Sequence, residues 1–343
     1  MLWQKAIGAA AVKKQYLAVA HNGIPYITVY PWSAITGFGT KYANPATLPA
    51  SDGLGVAFSP AGSAIIVCHV TSPRITAYPW SSSGFGTKYA NPTSSVPAQA
   101  NYVAFSPNSA TVAVAHVTSP YITAYPWSSS GFGAKYANPA TLPTGIGTGV
   151  AFSPAGDAVA VTFTASPYVA AYPWSSSGFG VKFSDPATLP ANLGNEVAFS
   201  PSGGAVAVAH TSSPFITAYP WSSGFGTKYA NPTTLPPSAG NSVAFSPTGA
   251  AIAVSHGTSP YVSVYAWSSS GFGAKFSDPS TPPGGTGNSV AFSPTGDAIA
   301  VAHGNASPYI AAYPWSSSGF GTKYANPATL PTGQGNGVAF GEN

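Results

Sequence analysis

Three sets of side chains in this sequence have the types and spacing to do chemistry. Six histidines, His21, His69, His116, His210, His256 and His303, recur at one interval, and Phe163 stands where a seventh would fall. Imidazoles ligate metals and carry protons near neutral pH, so a ring of them could do either. A coordination shell would need carboxylates or thiolates as well, and the neighbouring sequence supplies none. Each His ends an alternating apolar run, such as Val206-Ala207-Val208-Ala209 before His210, and Phe163 fills the same place without change in the flanking residues. The expectation is a structural ring, with no metal and no cofactor. The second set is aromatic and cationic. Trp32, Trp80, Trp127, Trp174, Trp221, Trp267 and Trp315 each precede a Gly-Phe-Gly bearing Phe38, Phe85, Phe132, Phe179, Phe225, Phe272 and Phe320, followed by Lys41, Lys88, Lys135, Lys182, Lys228, Lys275 and Lys323. An exposed aromatic face beside serine hydroxyls and a cation can bind a ligand ring, which makes these the candidate binding residues. The alternative is that each Trp folds onto the Phe of its own hairpin while Lys blunts an edge strand. The third set is sparse. Of seven acids, Asp157 and Asp297 sit in hairpin turns, Asp185 and Asp278 in Asn-equivalent turns, Asp52 and Glu196 in connections, and Glu342 at the terminus. No pair of carboxylates for acid and base work is visible, so no catalytic residue is expected and the chain reads as a non-enzyme.

The elements that position these residues come from a repeat. The Phe of each V-A-F, at Phe58, Phe105, Phe152, Phe199, Phe245, Phe292 and Phe340, recurs every 46 to 48 residues. Within one unit the hydrophobic period is two. Ile299, Val301 and His303 alternate with Ala298, Ala300 and Ala302, which is the pattern of a pleated strand. Segments such as S-P-T-G and S-S-S-G-F-G punctuate the strands with turn formers. Each unit parses as V-A-F, an alternating strand ending at His, a strand from Tyr309 to Trp315 or its equivalent, and a short outer strand through Lys323 and Tyr324.

Four strands per repeat of this length predict a β-propeller blade. V-A-F-S-P-x-G followed by an alternating strand and Y-I-x-x-Y resembles a WD-repeat blade, without the Gly-His and Trp-Asp dipeptides; Tyr-Pro-Trp-Ser stands in place of the latter. The repeat begins out of phase, with Tyr16 to His21 already a second strand, and ends on a lone first strand at Val338 to Phe340. The predicted fold is therefore all-β, a seven-bladed β-propeller of four-stranded antiparallel blades, closed by three N-terminal strands plus one C-terminal strand. Residues 1–15 read as an arm and 16–343 as a single propeller domain. Loops after the second and fourth strands share one face with the histidines, and the Trp hairpins lie on the other.

Composition bounds the function. The chain has 343 residues, 44% hydrophobic and 5% charged, with 11 basic against 7 acidic residues. No basic run extends beyond Lys13-Lys14, which argues against nucleic acid, and no stretch approaches the ~18 apolar residues of a membrane span. Cys68, the single thiol, falls in an alternating strand and reads as a buried small hydrophobe. Seven near-identical motifs would give avidity to a repeated weak contact. The expected function is a non-catalytic multivalent interaction or structural module, extracellular or virion-associated without a recognisable signal peptide, similar to phage structural and host-recognition propellers. Its partners would be other proteins of an assembly or surface glycans. The hairpins also resemble the sugar platforms of propeller lectins, which gives one alternative. A propeller hydrolase or lyase at the His-bearing face is the other.

Overall fold

The computed structural model describes residues 13–343, and among them the secondary structure is all strand. Most of the expected arm lies outside the described residues, and Gln15 already belongs to the first strand, Gln15–His21. No helix of the described residues is long and apolar enough to cross a membrane.

Seven sheets form, each antiparallel. Blades 1 to 6 take residues 53–85, 100–132, 147–179, 194–225, 240–275 and 287–320. Blade 7 joins the closing strand Gly335–Glu342 to the first three strands. Its register sets Leu17 opposite Phe340 and Val19 opposite Val338, so the three-plus-one closure is present and no radial edge is left unpaired.

The alternation in the second strand explains why these blades pack as a ring. Ile299 and Val301 join a core with Ala251 and Ala253 of the preceding blade, while Ala298, Ala300 and Ala302 meet Leu17 and Val19 of the next. Branched side chains on one face thus press on a flat alanine face, and the motif repeats at seven interfaces. Burying such side chains is worth about 1.5–3 kcal/mol each.

Two strands differ from the sequence reading. The fourth is only a Gly-Phe pair in most blades, Gly319–Phe320 for example, and reaches its Lys only in Gly271–Lys275. In blade 4 the hairpin W-S-S-G-F-G is one serine shorter, and a single Trp221–Phe225 bridge remains of it. The innermost strand begins three residues ahead of the V-A-F valine, as in Gly194–Phe199, and a bulge between Gly194 and Glu196 re-aims the residues there. That extension lines the central channel.

Candidate active site

The histidines lie inside the blades. All six are fully buried, and in five of them Nε2 faces a hydroxyl of the next strand: Thr28, Thr76, Thr123 and Thr217 at 2.8–2.9 Å and Ser263 at 3.0 Å. Where Phe163 replaces His, Ala170 replaces the hydroxyl. Burial lowers the pKa of His21, His69, His116, His210 and His256 to about 4, so they are neutral at neutral pH. No group of three or more His, Cys, Asp and Glu able to hold a metal exists among the described residues.

The tryptophans are hubs of aromatic clusters and are 4–8% exposed. Trp127 meets Phe132 of its own hairpin at 4.9 Å, Phe105 of its inner strand at 5.5 Å and Tyr89 of the preceding blade at 5.1 Å, each edge to face. Trp32, Trp80, Trp174, Trp221, Trp267 and Trp315 repeat the arrangement with Phe38, Phe85, Phe179, Phe225, Phe272 and Phe320. Little ring face is left for a sugar. Each lysine is tied locally: Lys41, Lys88, Lys135 and Lys323 reach Asn44, Asn91, Asn138 and Asn326 at 2.5 Å, Lys228 reaches Asn231, and Lys182 and Lys275 reach Asp185 and Asp278. This explains why Asn or Asp follows three residues after every such lysine. Cys68 is buried, with its thiol pushed up to about 12, and cannot serve as a nucleophile at neutral pH.

The groups that converge are on the channel axis. At the His-bearing end, a cavity of about 240 Å³ is lined by Asn101, Tyr102, Asn195, Glu196, Asn241 and Asn288, among others. Further along the axis the V-A-F strands line a second cavity, of about 420 Å³, and Tyr102 and Glu196 line both. Glu196 comes from an inner strand and not from a connection. Glu196 as a whole is 6% exposed, and its carboxyl accepts the phenol O–H of Tyr102, two blades away. Burial raises its pKa to about 7; hydrogen bonds from Ser242, Tyr102 and the Val243 N–H oppose that rise only in part. Ser242 Oγ accepts the Val290 N–H at 3.1 Å, which leaves its proton to give to Glu196. Between the two blades stands Gly149, where a Cβ would lie 2.8 Å from Glu196 Cα. The sequence did carry a signal for this site. The residue before the V-A-F valine reads Gly55, Tyr102, Gly149, Glu196, Ser242, Ser289 and Gly337, a varied position in an otherwise repetitive unit.

Solved structures share this ring almost end to end. A "putative 6-phosphogluconolactonase" from Bacteroides fragilis superposes with a TM-score of 0.77 at 11% identity, covering 97% of this chain and 99% of its own. One from Bacteroides uniformis gives 0.73 at 16%, covering 95% and 99%. The periplasmic gluconolactonase of Pseudomonas aeruginosa gives 0.69 at 14%, also covering 95% and 99%. The likeness is one of fold. No protein-family model matches the sequence, and no curated protein does. The neighbours are gluconolactonase-like propellers rather than WD-repeat proteins, so the expected resemblance reduces to the seven-bladed ring. The expectation of a non-catalytic multivalent module and of a non-enzyme is overturned by these three neighbours, each of which bears a lactonase name. The blades repeat in their cores, while the residue before each V-A-F valine differs from blade to blade.

Proposed function

We propose that the chain is a hydrolase of a cyclic ester, acting at the polar mouth of the channel on the His-bearing face. The observation that carries this reading is Glu196, a buried carboxyl poised near neutrality where the channel turns from polar to apolar. A general base works best when its pKa lies near the working pH. At neutral pH a large fraction of Glu196 is ionised. It takes a proton from water as the water oxygen bonds to the lactone carbonyl carbon, giving a tetrahedral oxyanion. The ring C–O bond then breaks, and the protonated Glu196 returns its proton to the leaving alkoxide oxygen. The product is the open-chain hydroxy acid. Tyr102 and Ser242 hold the carboxylate by donating to it. The lactonase descriptions of similarly shaped rings support this class of reaction, and the periplasmic one supports a setting outside the cytoplasm.

The test is the initial rate of acid release from D-glucono-1,5-lactone and its 6-phosphate, above the spontaneous rate. Glu196→Gln keeps the shape and removes the base. A loss of roughly 100-fold or more is expected, as for removal of a general base. Lactone hydrolysis indistinguishable from the spontaneous rate with the wild-type protein would refute the proposal.

A further inference from the structure

We infer that the channel mouth binds an uncharged polyhydroxylated ring, and disfavours a phosphorylated one, through a collar of asparagine carbonyl oxygens. This deepens the hydrolase reading and rests on it for the reaction, though not for binding. Six blades carry a polar side chain at one collar position, and each donates to a backbone carbonyl of the next blade. Asn101 reaches Gly147 at 2.8 Å, Asn195 reaches Gly240 at 2.8 Å and Asn241 reaches Gly287 at 2.9 Å. Asn288 reaches Gly335 at 2.8 Å, Asn336 reaches Gly53 at 2.9 Å, and Thr148 takes the Gly194 carbonyl. The seventh position is Leu54.

A carbonyl partner can only be met by an NH₂, so each amide orientation is fixed. Its Oδ1 is then the end left over. Asn101 spends its Oδ1 on Gln99 Nε2 at 2.8 Å. Asn195, Asn241, Asn288 and Asn336 accept nothing from the described protein, and all four line the 240 Å³ cavity. Four pre-oriented acceptors in a cavity below the ~300 Å³ of drug-sized sites suit the hydroxyl donors of a single sugar-sized ring. The nearest charge is the Glu196 carboxyl, and no lysine or arginine is in the lining. A phosphate group calls for Arg, Lys or clustered N–H donors, and here it would face oxygen acceptors. The one arginine of the chain, Arg74, lies in a loop of the same face but outside this lining.

Titration calorimetry of the intact protein with D-glucono-1,5-lactam, uncharged and not hydrolysed, and with glucose 6-phosphate, a phosphorylated ring, tests this without needing a variant. The lactam should bind at least tenfold more tightly. Asn241→Ala and Asn288→Ala, checked for an intact ring by thermal melting, should each weaken it several-fold. Tighter binding of glucose 6-phosphate, lost in Arg74→Ala, would overturn the inference while leaving the hydrolase reading standing. Failure of the lactam to bind would overturn it as well. Lactam binding without any lactone turnover would uphold the collar and defeat the hydrolase.

Discussion

A carboxyl removed from water with no cation beside it holds its proton to high pH, and a buried imidazole sheds its proton early; this protein contains both. Their effects on stability have opposite signs. Below the ordinary histidine value of about 6.5 the unfolded chain takes up protons that the folded chain refuses, so stability is lost as pH falls from about 6.5 towards 4. Glu196 does the reverse, since its raised value costs stability as pH rises from its ordinary 4.5 through about 7. Six imidazoles outweigh one carboxyl. At about 1.4 kcal/mol per pKa unit for each group, the five histidines lowered to about 4 together cost on the order of 10 kcal/mol by pH 5. Melting temperature should be flat above pH 7 and fall steeply between pH 6 and 4.5. A melting temperature unchanged over that range would show that the histidines do not stay neutral. Replacing His256 by Phe together with Ser263 by Ala reproduces the Phe163 and Ala170 pair, and should lessen the acid slope by at most about a fifth at little cost at pH 7.5.

At the scale of the strand, the decisive feature is the bulged start of each innermost strand. V-A-F and the alternation ending at His were legible because their period of two is uninterrupted, and so was the buried role open to the Trp hairpins. The three residues ahead of V-A-F read as connection because Gly-Asn-Glu and Gly-Asn-Ser are turn formers. Only the pairing of Gly194 with His210 draws them into the sheet and onto the axis. By that local pattern Glu196 falls in a loop, and its meeting with Tyr102 across 94 positions of sequence has no local trace. Gly149 makes that meeting possible. Gly149→Ala would set a Cβ 2.8 Å from both Glu196 Cα and Thr162 Oγ1, displacing the carboxyl. We expect kcat/KM to fall about tenfold or more, since small misplacements at a reacting group are costly, with the ring still folded. Full activity in this variant would mean that the placement of Glu196 does not matter to the reaction.

At the scale of the molecule, the ring is nearly seven-fold in its packing and asymmetric at its axis. The symmetric part followed from the sequence, including the closure, because the phase mismatch between Tyr16 and Phe340 leaves a three-stranded sheet in need of one more strand. What did not follow was where the repetition ends. Seven similar blades suggest seven similar sites, yet the hairpin tryptophans are buried in packing at every interface, and the channel mouth sets the unlike Tyr102 and Glu196 beside a repeated collar of asparagines. The proposed hydrolysis therefore depends on one carboxyl group. Its most direct test is kcat/KM for D-glucono-1,5-lactone, corrected for spontaneous hydrolysis, from pH 5 to 8.5. General-base action by Glu196 should give a rise through an apparent pKa of about 7 to a plateau, with that rise absent in Glu196→Gln. A profile that is flat across the range, or one that survives the substitution unchanged, would contradict it.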